Sequence, residues 1–281
     1  MYKGLRVAVV VPAYNEADNL PSTLATIPDY VDHILVVDDG SVDMTSSVAA
    51  EHARPGVEVL RHFHNQGVGA AVATGYRRAM DLDSDVAVVM AGDGQMDPAD
   101  LPKLLAPIVE GQADYVKGNR FAYQEVWQTM PRLRLVGNIA LSLLTRLTAG
   151  YPRMFDSQCG FTAVTNRTLH AIDLDGLFPR YGYPNDLLAR LWVGGARVLD
   201  VPVRTIYGSA WRSGISLRTA IYPVLFVALR ALPWRLWARW RRRQPIRQSS
   251  LGCGQWHPGR CLAAQSRWRR AGWAACSFQV S

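Results

Sequence analysis

Three short clusters of acidic and polar residues carry the side chains of this chain that are best suited to chemistry. Each cluster follows an apolar run typical of a buried β-strand, and the clusters are Pro12–Glu16, Asp38–Ser41 and Gly92–Asp97. The carboxyl ends of parallel strands meet at one edge of a sheet, so these clusters are expected to lie close together. Any single acid could cap a helix or a turn. Several carboxylates at one rim repel each other unless a cation or a donor-rich ligand lies among them, so the spacing favours a ligand site.

Two common nucleotide-binding motifs are absent from the sequence. No G-x-G-x-x-G turn follows the first strand, and no G-x-x-x-x-G-K-[ST] loop occurs. Gly67 and Gly69 precede a predicted helix, but they follow His64 and Asn65 rather than a strand end, which makes them a weak phosphate-binding signal. These absences argue against a dinucleotide oxidoreductase and against a P-loop NTPase.

Strand-like and helix-like segments alternate along the chain up to Phe121. The predicted strands are Val7–Val11, Ile34–Val37, Val57–Leu60, Val86–Met90 and Tyr115–Val116, and the predicted helices are Ala17–Ile27, Met44–Ala53, Gly69–Met80 and Ala99–Glu110. Asp43 and Asp97 stand where helix N-caps are expected, and Pro98 suits a first helical turn. The alternation predicts right-handed crossovers and an α/β fold with a doubly wound, mostly parallel sheet.

The alternation stops after Phe121. The later segments are predicted as a helix, a loop, a second helix and a final strand, over Leu133–Thr148, Asp156–Gly160, Pro184–Val193 and Arg197–Val203.

Charge divides the chain into a body and a basic appendage. The net charge is +8, yet all 23 acidic residues precede residue 201, and 14 of the 31 basic residues, all arginines, follow it. We therefore predict a globular domain over residues 1–207, an amphipathic Arg/Trp-rich segment over 208–243 and a disordered basic tail over 244–281.

The segment 208–243 is predicted to lie in a membrane interface. It carries the uncharged run Thr219–Leu229, and Arg235, Arg239 and Arg242 form one stripe among tryptophans. Arginines and prolines disfavour a spanning helix, whereas tryptophans and a cationic stripe suit an anionic membrane surface. Nucleic acid is the rival partner for such a segment, but the leucine and tryptophan content favours lipid.

The start of the chain and the cysteines indicate a cytoplasmic location. The first apolar run is too short and too soon followed by acids for a secretory signal, and the four cysteines contain no C-x-x-C pair. Together with the amphipathic segment, these features predict a peripheral protein on the cytoplasmic face of a membrane.

Several motifs taken together resemble family 2 glycosyltransferases, in the branch near dolichol-phosphate mannosyltransferase and the polyprenyl-phosphate sugar synthases. The matching segments are Val9–Leu20, Val36–Thr45, His64–Tyr76, Val88–Pro98, Gly118–Arg120, Asp156–Phe161 and Tyr183–Val203. The resemblance implies a GT-A type fold and a nucleotide-sugar donor. It also implies inverting transfer of a hexose, from a donor of the GDP-mannose or UDP-glucose type, to a polyprenyl phosphate.

The resemblance also assigns roles on the donor side. Pro12, Tyr14 and Glu16 would hold the nucleobase, Asp39 would reach base or ribose hydroxyls, and Asp38 would join it or brace the loop. A divalent cation, Mg²⁺ or Mn²⁺, would be bound by Asp93, with Gln95 or alternatively Asp97 as a second ligand. Ala91 stands where the family often has another aspartate, which leaves more coordination positions to water or phosphate oxygens.

On the acceptor side, the resemblance gives Arg120 and Arg134 the role of contacting a lipid phosphate. Asp156 and Asp186 are the remaining acids of the matched motifs, and Asp186 would lie over the reacting centre. A solvated helix face is the alternative for Arg134, and a helix-terminal charge is the alternative for Asp186. Transfer to a hydroxyl acceptor, or nucleotide-sugar binding without catalysis, are the competing functions, and the oligomeric state stays open.

Overall fold

The chain folds around a seven-stranded mixed β-sheet, in a computed structural model that describes residues 1–52, 54–130, 132–149, 151 and 154–206. The strands are β1 (Val7–Ala13), β2 (His33–Asp38), β3 (Val57–Arg61), β4 (Val86–Val89), β5 (Tyr115–Asn119), β6 (Thr162–Thr165) and β7 (Val198–Pro202). Their order is β3-β2-β1-β4-β6-β5-β7. Strands β1 to β4 pair in parallel, β5 pairs with β7 in parallel, and β6 is antiparallel to both β4 and β5.

Helices cover both faces of this sheet. They are α1 (Leu20–Thr26), α2 (Thr45–Glu51), α3 (Val68–Asp81), α4 (Leu101–Val109), α5 (Gln124–Thr129), α6 (Arg132–Ala149), α7 (Asn166–Ala171) and α8 (Tyr183–Gly194). Short 3₁₀ turns, Pro98–Asp100 and Arg120–Ala122, precede α4 and α5.

The core forms two layers because successive side chains of a strand point to opposite faces. Ala8 and Val10 of β1 pack toward α3, α7 and α8, whereas Val7, Val9 and Val11 pack toward α1, α2 and α4. Every residue of β1 is buried, which explains its unbroken apolar sequence. The doubly wound, mostly parallel sheet predicted from the sequence is therefore confirmed.

Strand β6 was not among the predicted strands. Thr162–Thr165 is short and has a threonine at each end, so it lacks the apolar run by which the other strands were recognised. It inserts between β4 and β5 and turns the sheet from fully parallel to mixed.

Two local predictions had different outcomes. Asp97 does cap the turn before α4, since its Oδ1 accepts the N–H of Ala99 at 2.9 Å. Asp43 is not the N-cap of α2, because that position is Met44 and makes no side-chain cap. The Asp43 carboxylate instead accepts the N–H groups of Thr45 and Ala17, at 3.0 and 3.3 Å, and joins two loops.

None of the described helices combines the length and the apolar character that crossing a membrane requires. The predicted interface segment 208–243 and the predicted tail 244–281 lie outside the described residues.

Candidate active site at the carboxyl ends of the strands

The loops after β1 and β2 are held together by hydrogen bonds. Asn15 has φ +56°, an uncommon value for a residue with a side chain. Its N–H donates to Ser41 Oγ at 3.0 Å, and its Oδ1 accepts the N–H of Val42 at 3.0 Å. The N–H of Glu16 donates to Thr45 Oγ1 at 2.9 Å. The two loops therefore form one fixed rim.

Asp38 and Asp39 lie inside this rim, and their carboxylates have internal partners. Asp38 is fully buried, accepts the N–H of Ser41 at 2.8 Å and the hydroxyl of Ser46, and lies 3.5 Å from Arg61 Nε. These contacts brace the loop after β2, and the predicted contact between Asp38 and a base or ribose stays a prediction.

Asp39 is 3% exposed and holds the start of α3 in place. Its Oδ1 lies 2.7 Å from His62 Nδ1 and accepts the N–H of Gln66 at 2.9 Å, while its Oδ2 accepts the N–H of Gly67 at 2.7 Å. The predicted contact between Asp39 and a base or ribose stays a prediction.

Glu16 and Asp93 bring two carboxylates near each other at the rim. Burial raises the pKa of Glu16, and the negative charges of Asp93 and Asp43 raise it further against a hydrogen bond from Asn19. Burial likewise raises the pKa of Asp93, although the N–H of Gln95 donates to its Oδ1 at 3.1 Å. Within the described part of the chain, no salt bridge pairs either carboxylate with a cationic side chain.

The other two predicted nucleobase contacts differ in accessibility. The Tyr14 ring is 45% exposed beside the rim and is available for stacking. Pro12 is buried within β1, and its carbonyl accepts the N–H of Gly92 at 3.2 Å. Pro12 therefore fixes the loop after β4 by its backbone.

The loop after β4 is anchored at two points, Gly92 and Gln95. Thr23 Oγ1 donates to the carbonyl of Gly92 at 3.3 Å, and the N–H of Ile206 donates to the carbonyl of Gln95 at 2.9 Å. Met96 also forms an antiparallel bridge with Thr205. The loop that carries Asp93 and Gln95 is thus tied to the chain that leads out of β7.

The residues of the loop after β4 suit a hard divalent cation that takes most of its ligands from water and from phosphate oxygens. The described residues contain no group of three or more His, Cys, Asp or Glu side chains arranged for a metal. Asp93 and Asp97 each accept one backbone N–H through Oδ1, which leaves Oδ2 of either carboxylate for a metal, so Asp93 with Gln95 stays the predicted ligand pair and Asp97 the alternative. Such a set fits Mg²⁺ or Mn²⁺ bound mainly by phosphate oxygens and water.

A second charged group lies at the end of β5. Arg120 and Asp156 form two parallel hydrogen bonds, Nε to Oδ2 at 2.7 Å and Nη2 to Oδ1 at 3.0 Å. Asp156 is fully buried, and Arg120 is 19% exposed. Burial alone would raise the pKa of Asp156, but the charge and hydrogen bonds of Arg120, together with Lys117, lower it overall.

An apolar cavity of about 390 Å³ opens next to this ion pair. It is lined mainly by aromatic and aliphatic side chains from the turn after β5, from α5, from α6 and from the loop after it: Phe121, Trp127, Ile139, Leu143 and Phe155. Trp127, Leu143 and Phe155 are each about half exposed, at 49%, 51% and 54%. The apolar cavity therefore adjoins the turn that carries Arg120, since Asn119 and Phe121 both line it.

Comparison with known proteins identifies the family. A family model described as Glycosyl transferase family 2 matches residues 8–172. The chain belongs to glycosyl transferase family 2. It is 31% identical over 216 residues to the UDP-N-acetylglucosamine–dolichyl-phosphate N-acetylglucosaminyltransferase of Methanococcus voltae, covering 72% of this chain and 86% of the relative.

Two further proteins extend this result. The undecaprenyl-phosphate mannosyltransferase of Micrococcus luteus is 34% identical over 244 residues, covering 84% of this chain and 96% of the relative. Glucosyl-3-phosphoglycerate synthase from Mycobacterium tuberculosis, solved with Mn²⁺, UDP and glucosyl-3-phosphoglycerate, aligns with a TM-score of 0.61 at 21% identity, covering 82% of this chain and 81% of that chain. The fold of this glycosyltransferase is thus GT-A-like.

The two remaining predicted residues of the glycosyltransferase lie on helices α8 and α6. Asp186, in the first turn of α8, is 2% exposed, and its Oδ2 accepts the N–H of Phe178 and Arg190 Nε, each at 2.9 Å. Arg134 lies in α6, and its side chain is outside the described part of the structure.

Sequence reasoning missed two charged residues beneath Arg120. Lys117 is fully buried on β5, and Asp200 is its register partner on β7. A lysine inside the otherwise strand-like run from Tyr115 to Asn119 was the available signal, since buried lysines are rare without a partner.

Proposed function

We propose that this glycosyltransferase transfers a hexose, with inversion, from a nucleotide diphosphate sugar to a polyprenyl phosphate. The donor is of the GDP-mannose or UDP-glucose type. The observation that carries the proposal is the apolar cavity beside Arg120, because an acceptor with a phosphate and a prenyl chain needs a cation and an apolar groove side by side. We call the ends of β1, β2 and β4 the donor half. We call the Arg120–Asp156 pair and the apolar cavity the acceptor half.

The donor half supports nucleotide-sugar binding. The exposed Tyr14 ring offers a stacking surface, and Asp38 and Asp39 fix the loops around it. A divalent cation held by Asp93 and Gln95 would neutralise charge on the departing nucleoside diphosphate. The solved glucosyl-3-phosphoglycerate synthase, whose complex contains Mn²⁺ and UDP, supports this assignment by its similar fold.

The acceptor half supports a phosphate nucleophile. A phosphate oxygen is already anionic at neutral pH, so it can attack the anomeric carbon without losing a proton to a base. The bond from that carbon to the diphosphate oxygen breaks, and the nucleoside diphosphate leaves with the electron pair. Asp186 is engaged by Phe178 and Arg190, which suits a reaction that needs no general base.

The names of the two sequence relatives point to the same acceptor class. One is named for dolichyl phosphate and the other for undecaprenyl phosphate. An acceptor of this kind is embedded in a membrane, so the predicted interface segment 208–243 and an anionic membrane surface fit the proposal. Peripheral attachment at the cytoplasmic face is part of the proposal.

A transfer assay tests the proposal against the alternatives. Labelled GDP-mannose, UDP-glucose and UDP-N-acetylglucosamine are each offered with a long-chain polyprenyl phosphate, a short-chain polyprenyl phosphate, the matching free polyprenol and 3-phosphoglycerate, with Mg²⁺ or Mn²⁺. We expect mild-acid-labile lipid product from the polyprenyl phosphates. Product only from the free polyprenol or from 3-phosphoglycerate would replace the lipid-phosphate proposal with the corresponding acceptor.

A cavity variant sharpens this test. Trp127→Ala removes a half-exposed ring from the cavity, and we expect the KM for the long-chain acceptor to rise about tenfold, since burial of a large apolar side chain contributes about 1.5–3 kcal/mol. The KM for the short-chain acceptor should change less. Val193→Ala, an exposed apolar residue of α8 outside the cavity, serves as the matched control. Equal effects of both variants would place the prenyl chain elsewhere.

A further inference from the structure

Lys117 is a fully buried cation within the sheet, close to the acceptor half. It lies on β5, and its register partners are Thr162 on β6 and Asp200 on β7. Its ammonium donates to the carbonyl of Cys159. Burial lowers the pKa of Lys117, and the nearby acids Asp156 and Asp200 oppose that effect. An apolar side chain of equal length would fill this space without the free-energy cost of burying a charge.

Asp200 is the second charged residue in this region and is partly buried. Its Oδ2 accepts the N–H of Phe155 at 2.5 Å, whereas its Oδ1 is buried without a hydrogen-bond partner among the described residues. Burial raises the pKa of Asp200 to about 6, against the hydrogen bond from Phe155 and the charge of Lys117. A strand residue with an unsatisfied buried oxygen needs a reason beyond stability.

Lys117 and Asp200 both contact the segment 154–159, which also carries Asp156. The segment is held at Phe155 by Asp200, at Cys159 by Lys117 and at Ser157 by Ser142 Oγ, which accepts the Ser157 N–H at 3.1 Å. Between these points, the Asp156 carboxylate accepts two hydrogen bonds from the Arg120 side chain and one from its backbone N–H. The orientation of the guanidinium thus depends on the position of this segment.

We propose that Lys117 and Asp200 are positioning residues that hold segment 154–159, and through Asp156 the Arg120 guanidinium, in the orientation that receives an anionic acceptor. The proposal rests on the proposed function in that Arg120 contacts the acceptor phosphate. Neither residue touches the substrate. A displacement of the segment weakens acceptor binding and leaves the loops after β1 and β2 unchanged, because those loops hydrogen-bond to each other and to the chain before α3.

Lys117→Met tests the proposal, because methionine keeps the length of the side chain and removes the charge and the hydrogen bond. We expect the variant to fold and to raise the KM for the polyprenyl phosphate about tenfold, which corresponds to about 1.4 kcal/mol. The KM for the nucleotide sugar should not change. Lys117→Gln, which keeps a donor for the Cys159 carbonyl, should recover part of the loss. Lys3→Met, an exposed lysine near the N-terminus, is the matched control.

Hydrogen exchange by mass spectrometry gives a readout that needs no acceptor. In Lys117→Met, the amides of segment 154–159 should exchange faster, and the amides of β1 to β4 should exchange as in the wild type. Unchanged exchange together with an unchanged acceptor KM would overturn the positioning role and leave the proposed function standing. A wild-type enzyme that uses no polyprenyl phosphate would overturn the proposed function, and the exchange result would still decide whether Lys117 holds the segment.

If Lys117→Met does not fold, Asp200→Asn provides a second test of the positioning role. Asparagine retains an oxygen for the N–H of Phe155 and removes only the charge next to Lys117. The acceptor KM should rise while the donor KM stays constant. A parallel rise of both KM values would indicate general loosening of the sheet and would contradict the proposal.

Discussion

In the donor half, Glu16 and Asp93 lie close to each other, and burial together with like charge raises the pKa of Glu16, while burial raises that of Asp93. In the acceptor half, Asp156 is more deeply buried, yet Arg120 and Lys117 lower its pKa below the ordinary value. Carboxylates of one sheet are thus held in opposite electrostatic surroundings, with β6 between β4 and β5. Among the described residues, Glu16 and Asp93 have no salt bridge to a cationic side chain, whereas Asp156 has one to Arg120.

This difference fits ligands that bring different charges. A nucleotide diphosphate sugar that arrives with a divalent cation supplies positive charge to the carboxylates of the donor half. An acceptor phosphate arrives as an anion and meets cations that the fold has already placed. Because two hydrogen bonds from its side chain to the buried Asp156 fix the Arg120 guanidinium, that cation is oriented before the acceptor binds.

The acceptor half should be the more sensitive to loss of a cation. Arg120→Met leaves the fully buried Asp156 without its partner, and we expect the free energy of unfolding to fall by about 3–5 kcal/mol. Chemical denaturation measures this loss. The double variant Arg120→Met/Asp156→Asn should recover much of the stability because no unpaired charge remains, and it should not recover transfer. Recovery of both would show that the pair only stabilises the fold.

Loss of a carboxylate from the donor half should lower the transfer activity and leave the stability of the fold unchanged. Asp93→Asn removes the carboxylate proposed to bind the cation, and we expect transfer to fall about 10²- to 10³-fold, the range for loss of one electrostatic stabiliser of a transition state. The melting temperature should be unchanged or higher, since Asp93 has no cationic partner in the described residues.

Asp97→Asn is the matched control for Asp93→Asn. Its amide oxygen can still cap Ala99, so the turn before α4 is retained and activity should stay near that of the wild type. An inactive Asp97→Asn beside an active Asp93→Asn would move the metal ligand from Asp93 to Asp97.

The two halves also differ in how far the sequence predicts them. The donor half follows from local rules, because each acidic cluster directly follows an apolar strand and the strand ends meet at one edge. Placing its residues together required no knowledge of contacts between distant parts of the chain. The finer contacts, such as the hydrogen bonds that Asp39 accepts from Gln66 and Gly67 before α3, depend on loops that meet only in the folded chain.

The acceptor half depends on pairings that are distant in the sequence. Lys117 and Asp200 become neighbours only because β5 pairs with β7, and β6, between β4 and β5, was not recognised from its short Thr-bounded sequence. The family resemblance supplied Arg120 and Asp156, but the buried charges that hold their segment carry no motif. The pairing register of β5 with β7 is not encoded in any local sequence pattern, which is why the proximity of Lys117 and Asp200 was not predicted.

The smallest expected effect is on the pH dependence of stability, and it distinguishes Asp200, whose pKa is raised, from Asp156, whose pKa is lowered. Asp200 has its pKa raised by burial from 3.8 to about 6. At pH 3 the group is protonated in both the folded and the unfolded chain and has no effect on stability. As the pH rises between about 4 and 6, the unfolded chain loses this proton first, so the wild type loses stability. Asp200→Asn should therefore be more stable than the wild type by about 1–3 kcal/mol at pH 8 and by much less at pH 4.

Asp114→Asn is a control in which the stability should change in the opposite direction. A hydrogen bond from Arg197 lowers the pKa of Asp114, so this variant should be less stable than the wild type at pH 8. Denaturation curves of both variants across this pH range provide the measurement. If Asp200→Asn is instead less stable than the wild type at pH 8, Asp200 forms a stabilising ion pair with Lys117, and the acceptor half holds all of its carboxylates in the same way.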